Sequence, residues 1–269
     1  MSWQGQSGRD PYRRPVRIAT FNILHGRSLA DGRVDADRFR DAVADLDADV
    51  LALQEVDRGQ PRSGRRNLAA IAAEASGAVA WRFAAATVGR SGGWQAGSLS
   101  DGDGDGPAYG VALTTRYPVL GWYEIRLRAL PVRSPVFVPG SGQVRLIRDE
   151  PRVALAAVME TPVGVLTVAA AHLSFVPGWN AAQLTGLVRR LRSLPRPQLL
   201  LGDLNLPGRL PHRLTGWVPL VQALTFPAPA PRVQIDHVLA LGSLPRVGTG
   251  SARELPLSDH RALVVDLRT

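Results

Sequence analysis

Short apolar runs recur along the chain between turn-forming stretches, and five of them end on a polar residue. VRIATF leads to Asn22, VLALQ to Glu55, LTVAAA to His172, QLLLG to Asp203 with Asn205 two residues on, and VQI to Asp236. A sixth cluster, Ser258-Asp259-His260, stands just before the closing run ALVVDL. Apolar runs of this length bounded by turn signals predict strands buried on both faces. Polar residues at the ends of such strands gather on one rim of a sheet, where α/β proteins place their sites.

The same pattern predicts strands over 16–22, 50–54, 81–87, 109–114, 119–127, 152–159, 163–171, 198–202, 233–240 and 262–267. Ala36, Phe39, Val43 and Leu46 recur at helical spacing, so 36–46 is predicted as an amphipathic helix. Residues 66–76, stopped by Gly77, and 179–193, with Leu184, Leu187, Val188 and Leu191 on one face, give two more helices. Hairpin turns are expected at Arg116-Tyr117-Pro118 and Glu160-Thr161-Pro162. Residues 89–107, 129–151 and 206–231 read as loops, the second rich in Pro and Arg and facing either substrate or solvent. Within 89–107, Asp101, Asp103 and Asp105 imitate the start of a calcium loop, but Ala112 stands where a bidentate Glu is required. Strands mixed with helices and hairpins predict α/β architecture with mixed sheets. No composition break divides the chain, so one domain is expected over 15–269 after a disordered lead-in, 1–14.

Composition narrows the chemistry. Of the 269 residues 45% are apolar, enough for a core between packed layers. The absence of cysteine removes thiolate nucleophiles, disulfides and zinc–thiolate sites. The N-terminal stretch lacks the apolar segment of a signal peptide, and no run reaches transmembrane length. The expectation is a soluble cytoplasmic monomer. The net charge is +9 and every basic residue is Arg. Arg forks suit phosphate groups, while coding bias alone would also replace Lys.

Each polar strand end has a structural and a chemical reading. In an extended LLLGDLNLP segment, Asp203 and Asn205 would point the same way, Asp203 to activate a water and Asn205 to hold a phosphate. Turn formation is the competing use of both. A carboxylate at Glu55, after a buried strand, needs a partner: a hard cation, or one of the arginines. Asn22 fits the same cation, a phosphate, or a turn. His172 and His260 would flank one phosphorus, with Asp236 fixing the imidazole of His260. His237 follows Asp236 in a strand and faces away, so it is read as structural. Asp259 joins His260 at the site only if the chain turns at Leu257-Ser258.

Taken together and in order, TFNILHG, LQEVD, AAHLS, GDLN, QIDHV and SDH resemble the endonuclease/exonuclease/phosphatase superfamily over essentially 16–268. The resemblance implies a DNase I-like four-layer sandwich of two packed mixed sheets flanked by helices. It implies a hydrolase that cleaves a phosphodiester or phosphomonoester by in-line attack of water. Mg²⁺ or Mn²⁺ would be held by Glu55 with Asn22 and Asp259. Asp203 would orient the water, Asp236 would brace His260, and Asn22, Asn205 and His172 would contact the phosphate. Val111 stands where the family often has a small polar residue, and His237 where Tyr is common. The presence of His172 resembles the DNase I-like, phosphatase and sphingomyelinase branches more than the abasic-site nucleases. A small-molecule or lipid-headgroup phosphate is the favoured substrate. A nuclease is the alternative, disfavoured by an aromatic content of 6% with Trp94, Trp122 and Trp179 scattered. A catalytically silent binding protein would lack motif residues, and none of them is missing. The Arg-rich 129–152 stretch offers a membrane-surface role but no amphipathic basic helix.

Overall fold

The computed structural model describes residues 15–268 other than 91, 92, 94, 98–103, 105 and 139–142, with the backbone alone at 136–138 and 143–145. The lead-in 1–14, Trp94 and the calcium-like Asp101, Asp103 and Asp105 lie outside these residues. The first half contains β1 (Val16–Asn22), α1 (Ala36–Leu46), β2 (Val50–Arg58), α2 (Leu68–Ser76), β3 (Ala80–Val88), β4 (Gln95–Ala96), β5 (Ala108–Thr115), β6 (Val119–Leu127), β7 (Arg133–Val138) and β8 (Gln143–Arg148). The second half contains β9 (Arg152–Thr161), β10 (Gly164–His172), α3 (Trp179–Leu191), β11 (Gln198–Asp203), α4 (Leu210–Thr215), β12 (Val218–Pro219), β13 (Asp236–Leu241), β14 (Arg246–Val247), β15 (Ser251–Arg253) and β16 (Ala262–Arg268).

Among the described residues these strands build two large mixed sheets. One runs β14-β16-β1-β2-β5-β3-β4, with β15 also on β16; the other runs β12-β13-β11-β10-β9-β6. The parallel pairs β1–β2 and β10–β11 lie at the centre of each. Ile18, Val50 and Leu113 of the first sheet and Leu155, Val168 and Leu201 of the second pack into one core between the sheets. Alternate residues on the same strands face outwards. Phe21 and Leu53 meet Phe39, Val43 and Leu68 of α1 and α2. Leu200 and Ala169 meet Leu184, Leu187 and Leu191 of α3. The architecture is therefore the predicted four-layer sandwich, and burial on both faces explains why its strands read as unbroken apolar runs. Truncating one of these fully buried leucines to Ala would cost about 2–5 kcal/mol.

Local signals set the helix ends. Asp35 Oδ1 accepts from the N–H groups of Asp37 and Arg38, both at 2.9 Å, and so starts α1. Asn67 Oδ1 accepts from Ala70 N–H at 3.2 Å, so α2 begins at Leu68 rather than at 66. Gly77, at φ 64°, closes α2 with its N–H on the carbonyls of Ala73 and Glu74.

Three expectations fail. Arg116-Tyr117-Pro118 does not join a hairpin: β5 pairs with β2 and β3, whereas β6 pairs with β9 in the other sheet. The segment is a crossing between sheets, a distinction that turn residues do not encode. The stretch 129–151 is not only loop, because β7 and β8 pair as a separate two-stranded ribbon. The irregular 206–231 contains α4 and β12. The second hairpin, β9–β10 around 160–162, is present with Thr161 opposite Gly164.

Candidate active site

The central strands of both sheets end on the same rim. Asn22 ends β1, and His172 ends β10 in register with Asp203 at the end of β11. Asp203 is in turn opposite Asp236, the first residue of antiparallel β13. Gly202 makes this close approach possible. A Cβ there would lie 1.9 Å from the Ala171 carbonyl oxygen, and its φ of 138° suits glycine alone.

Glu55 does not terminate its strand as predicted. β2 continues to Arg58, and the pairing with β5 slips between Leu53 and Val56. Glu55 sits in that bulge at φ 56°, which turns its carboxylate toward the rim. Asn205 also departs from the extended form assumed for it. It lies at φ 51°, and its N–H donates back to Asp203 Oδ1 at 3.0 Å. Its Nδ2 donates to the Leu173 carbonyl at 3.0 Å, stitching the loop after Asp203 to the loop after His172. The turn needed for Asp259 is present at Ser258, φ 71°. Of the seven non-glycine residues with positive φ among the described ones, Leu24, His25, Asn205 and Ser258 lie in the rim loops and Glu55 in the β2 bulge. Backbone strain is thus concentrated where the polar residues meet.

Asp203 is the centre of the cluster. Asn22, fully buried, donates from Nδ2 to Asp203 Oδ2 at 3.0 Å and to Glu55 Oε1 at 3.2 Å, bridging the two carboxylates. His172 Nε2 lies 3.5 Å from Asp203 Oδ2, and His260 Nε2 lies 3.8 Å from the same oxygen. His260 Nδ1 is 2.9 Å from Asp236 Oδ2 and its Nε2 is 3.9 Å from Asp259 Oδ1. The ring of Phe226 lies 5.0 Å from that of His260. Ser258 Oγ donates to the Asn22 carbonyl at 2.6 Å and accepts from His260 N–H at 3.1 Å, tying the last motif to the first.

The charges follow from these contacts. Burial raises Asp203, with the Asp236 charge adding to it, to about 7 despite the opposing pull of His260 and Asn22. Burial works against the charged form of His260, but Asp236, Asp203 and Asp259 outweigh it and raise the imidazole to about 10. His172 moves the other way: burial, then the charges of Arg152 and His260, hold it well below the ordinary value. Burial raises Glu55, opposed by its hydrogen bond from Asn22 and reinforced by Asp259.

Arg152 is the residue that motif reading missed. It is buried, and Nη1 lies 3.2 Å from Nδ1 and 3.3 Å from Nε2 of His172. Among the described residues its buried Nε has no hydrogen-bond partner. The signal was in the β9–β10 hairpin, whose register places the start of β9 beside the end of β10. His237 is structural as read, with Nε2 2.8 Å from the Leu206 carbonyl oxygen, and Val111 is buried in the intersheet core.

Two groups offer themselves to a cation. Ligand atoms of Asp203, Asp236 and His260 lie within 4.8 Å of one another. That trio already spends Asp236 Oδ2 and His260 Nδ1 on their mutual hydrogen bond. Glu55, whose carboxyl burial and then the Asp259 charge raise, and Asp259 offer oxygen ligands alone, which suit a hard divalent ion better.

Two packed mixed sheets, helices on the outer faces and a polar rim where the central strands end define the DNase I-like class of α/β proteins. The chain belongs to the Endonuclease/Exonuclease/phosphatase family, which it matches over residues 19–260. Among solved structures it resembles an endonuclease/exonuclease/phosphatase from Beutenbergia cavernae at 23% identity, covering 95% of this chain and 72% of that one, with a TM-score of 0.65. A mannosyl-6-phosphatase from Bacteroides thetaiotaomicron is 16% identical over 94% of this chain and 100% of its own, TM-score 0.64. Sphingomyelinase C from Streptomyces griseocarneus is 13% identical over 94% and 99%, TM-score 0.59. No curated protein matches in sequence. Among the described residues no helix is long and apolar enough to cross a membrane.

Proposed function

We propose that the chain is a metal-dependent phosphoesterase that hydrolyses a phosphodiester or phosphomonoester by in-line attack of water. The observation that carries this reading is one buried carboxylate, Asp203, set between two imidazoles at 3.5 and 3.8 Å and anchored by Asn22 at 3.0 Å. Raised to about 7, Asp203 is matched to a neutral-pH general base. It takes the proton of the attacking water as the water oxygen bonds to phosphorus and the ester oxygen departs. His260, kept charged by Asp236, faces the charge that develops on the phosphoryl oxygens, and His172 faces it from the other side. Glu55 and Asp259, with Asn22 positioning Glu55, would hold Mg²⁺ or Mn²⁺. Such an ion supplies neutralisation of phosphoryl charge when bound. Asn205 would contact the phosphate through the second N–H of its amide, the first being given to the Leu173 carbonyl. The structural relatives named as a mannosyl-6-phosphatase and a sphingomyelinase C support a small-molecule or lipid-headgroup phosphate.

The test is hydrolysis of bis-(p-nitrophenyl) phosphate against p-nitrophenyl phosphate with Mg²⁺ or Mn²⁺. EDTA is expected to abolish turnover, and Asp203→Asn to lower kcat by about 10³-fold, within the range for loss of a positioned base. Turnover that survives both treatments defeats the reading.

A further inference from the structure

A cavity of about 370 Å³ lies beside the candidate site and is used by none of the chemistry above. Three loops wall it, and all three rise from the active rim. Residues 28–30 follow β1, 228–229 precede β13, and 254–258 precede β16. Its surface is predominantly apolar, formed largely by Leu29, Ala30, Ala228, Pro229, Leu255 and Pro256.

The cavity wall and the reaction centre share residues. Ala228 lines the cavity, and its N–H donates to the Asp259 carbonyl at 2.7 Å. Ser258 also lines it, and its hydroxyl holds the Asn22 carbonyl and the His260 N–H. Phe226, two residues before Ala228, rests against the ring of His260. The cavity wall is thus continuous with the segment that carries Asp259 and His260, so a group occupying the cavity borders the side of the site where His260 would meet a phosphate.

The lining decides what that group is. Among the described residues, the charged side chain at the cavity is Glu254, an acid paired to Arg261 Nη2 at 2.7 Å. With Glu254 and Arg261 spent on each other, the wall offers a second phosphate no free cation among the described residues, and the apolar walls give a sugar hydroxyl few partners. The volume is in the range of small-molecule pockets and too small for a protein segment.

We propose that this cavity receives an apolar ester substituent of the substrate, an alkyl or aryl group attached through oxygen to the phosphorus held at Asp203. The assignment rests on the phosphoesterase reading and extends it. The enzyme would select esters by a compact hydrophobic group bound on the Asp259 side of the site, with the phosphate as the shared anchor.

The experiment is calorimetric titration of the Asp203→Asn protein, in Mg²⁺, with methyl phosphate and with hexyl phosphate. Hexyl phosphate is expected to bind at least tenfold more tightly. Leu29→Glu and Ala30→Trp, each added to the same background, should bring the ratio of the two affinities to about one. Leu29 and Ala30 are exposed, so both variants are expected to fold. Equal affinities in the parent, or a hexyl advantage that survives both variants, overturns the assignment. If neither phosphate binds, hexanol is titrated alone: binding abolished by Ala30→Trp upholds the cavity's role, and no binding overturns it. Absence of ester turnover by the unmutated protein is a different failure, since it removes the phosphoesterase reading and leaves the alkyl-binding ratio to be read by itself.

Discussion

Asp203 has two histidine flanks, and they are built on opposite electrostatic plans. On the β13 side His260 meets Asp236 at 2.9 Å, with Asp259 also near, and the imidazole is raised to about 10. On the β9 side His172 meets a guanidinium, Arg152, and is held neutral by burial and that charge. The same side chain is thus a fixed cation on one side of a carboxylate and a neutral ring on the other. A neutral His172 with its proton on Nε2 can donate to Asp203 while Nδ1 accepts from Arg152, which satisfies both contacts. The cation on that side is the arginine, which cannot lose its proton. Positive charge thus reaches both sides of the site by different routes, one titratable and one permanent.

The largest effect should come from breaking the titratable side. His260→Gln keeps a polar group but removes the charge, and kcat is expected to fall about 10³-fold with a smaller change in KM. Asp236→Asn leaves His260 in place without its brace and should lower kcat about 10²-fold. Steady-state kinetics on the better p-nitrophenyl ester measures both. A His260→Gln enzyme within tenfold of the unmutated one would show that the charge there is not used in the transition state.

A smaller effect is expected on the permanent side. Arg152→Met keeps an unbranched apolar stem and removes the charge, and kcat/KM should fall about tenfold, of the order expected for one charge-assisted contact. Its sharper readout is the His172 imidazole. With the guanidinium gone, its titration midpoint should rise, while that of His260 stays high. Imidazole ¹⁵N shifts followed by NMR against pH distinguish the two rings. An unmoved His172 would mean that burial alone sets its state.

Much of this was legible in the chain, and the parts that were not have physical reasons. The strand ends carrying Asn22, His172 and Asp203 could be read because strands buried on both faces leave a polar residue conspicuous, whereas Asp236 opens β13 rather than closing the run VQI. The turn at Ser258 followed from requiring Asp259 and His260 to act together. The bulge at Glu55 was illegible, because a register slip depends on the partner strand β5 and leaves no mark in LALQEVD. Asn205 is a different case: the turn reading of the Asp203-Asn205 pair, not the extended one, describes its left-handed backbone, which the Asp203 bond and the long-range Leu173 contact hold. The crossing at 116–118 carries hairpin residues, and only sheet membership separates it from a hairpin. Arg152 was hidden among many arginines, where type alone cannot pick out the one that burial and the β9 register deliver to the site.

The smallest predicted effect tests the comparison through stability rather than rate, and its sign differs between the flanks. His260 titrates at about 10 in the folded protein and near 6.5 unfolded, so the folded form binds its proton more tightly. Its contribution to stability is fully present below about 6.5 and fades as pH rises toward 10. Removing the brace should therefore cost Asp236→Asn most in Tm near pH 6, with the gap to the unmutated protein narrowing toward pH 10. His172 has the opposite linkage. Its folded value is lowered from 6.5, so the unfolded chain takes up that proton first, and the unmutated protein loses stability as pH falls below 6.5. His172→Gln is free of that penalty and should gain in Tm relative to the unmutated protein between pH 6.5 and 5. Thermal melts of both variants across pH 5–10, at shifts of a few degrees, read the two slopes directly. Parallel slopes would show that the histidines share one charge state, and the asymmetry around Asp203 would then reside in Arg152 and Asp236 rather than in the rings they contact.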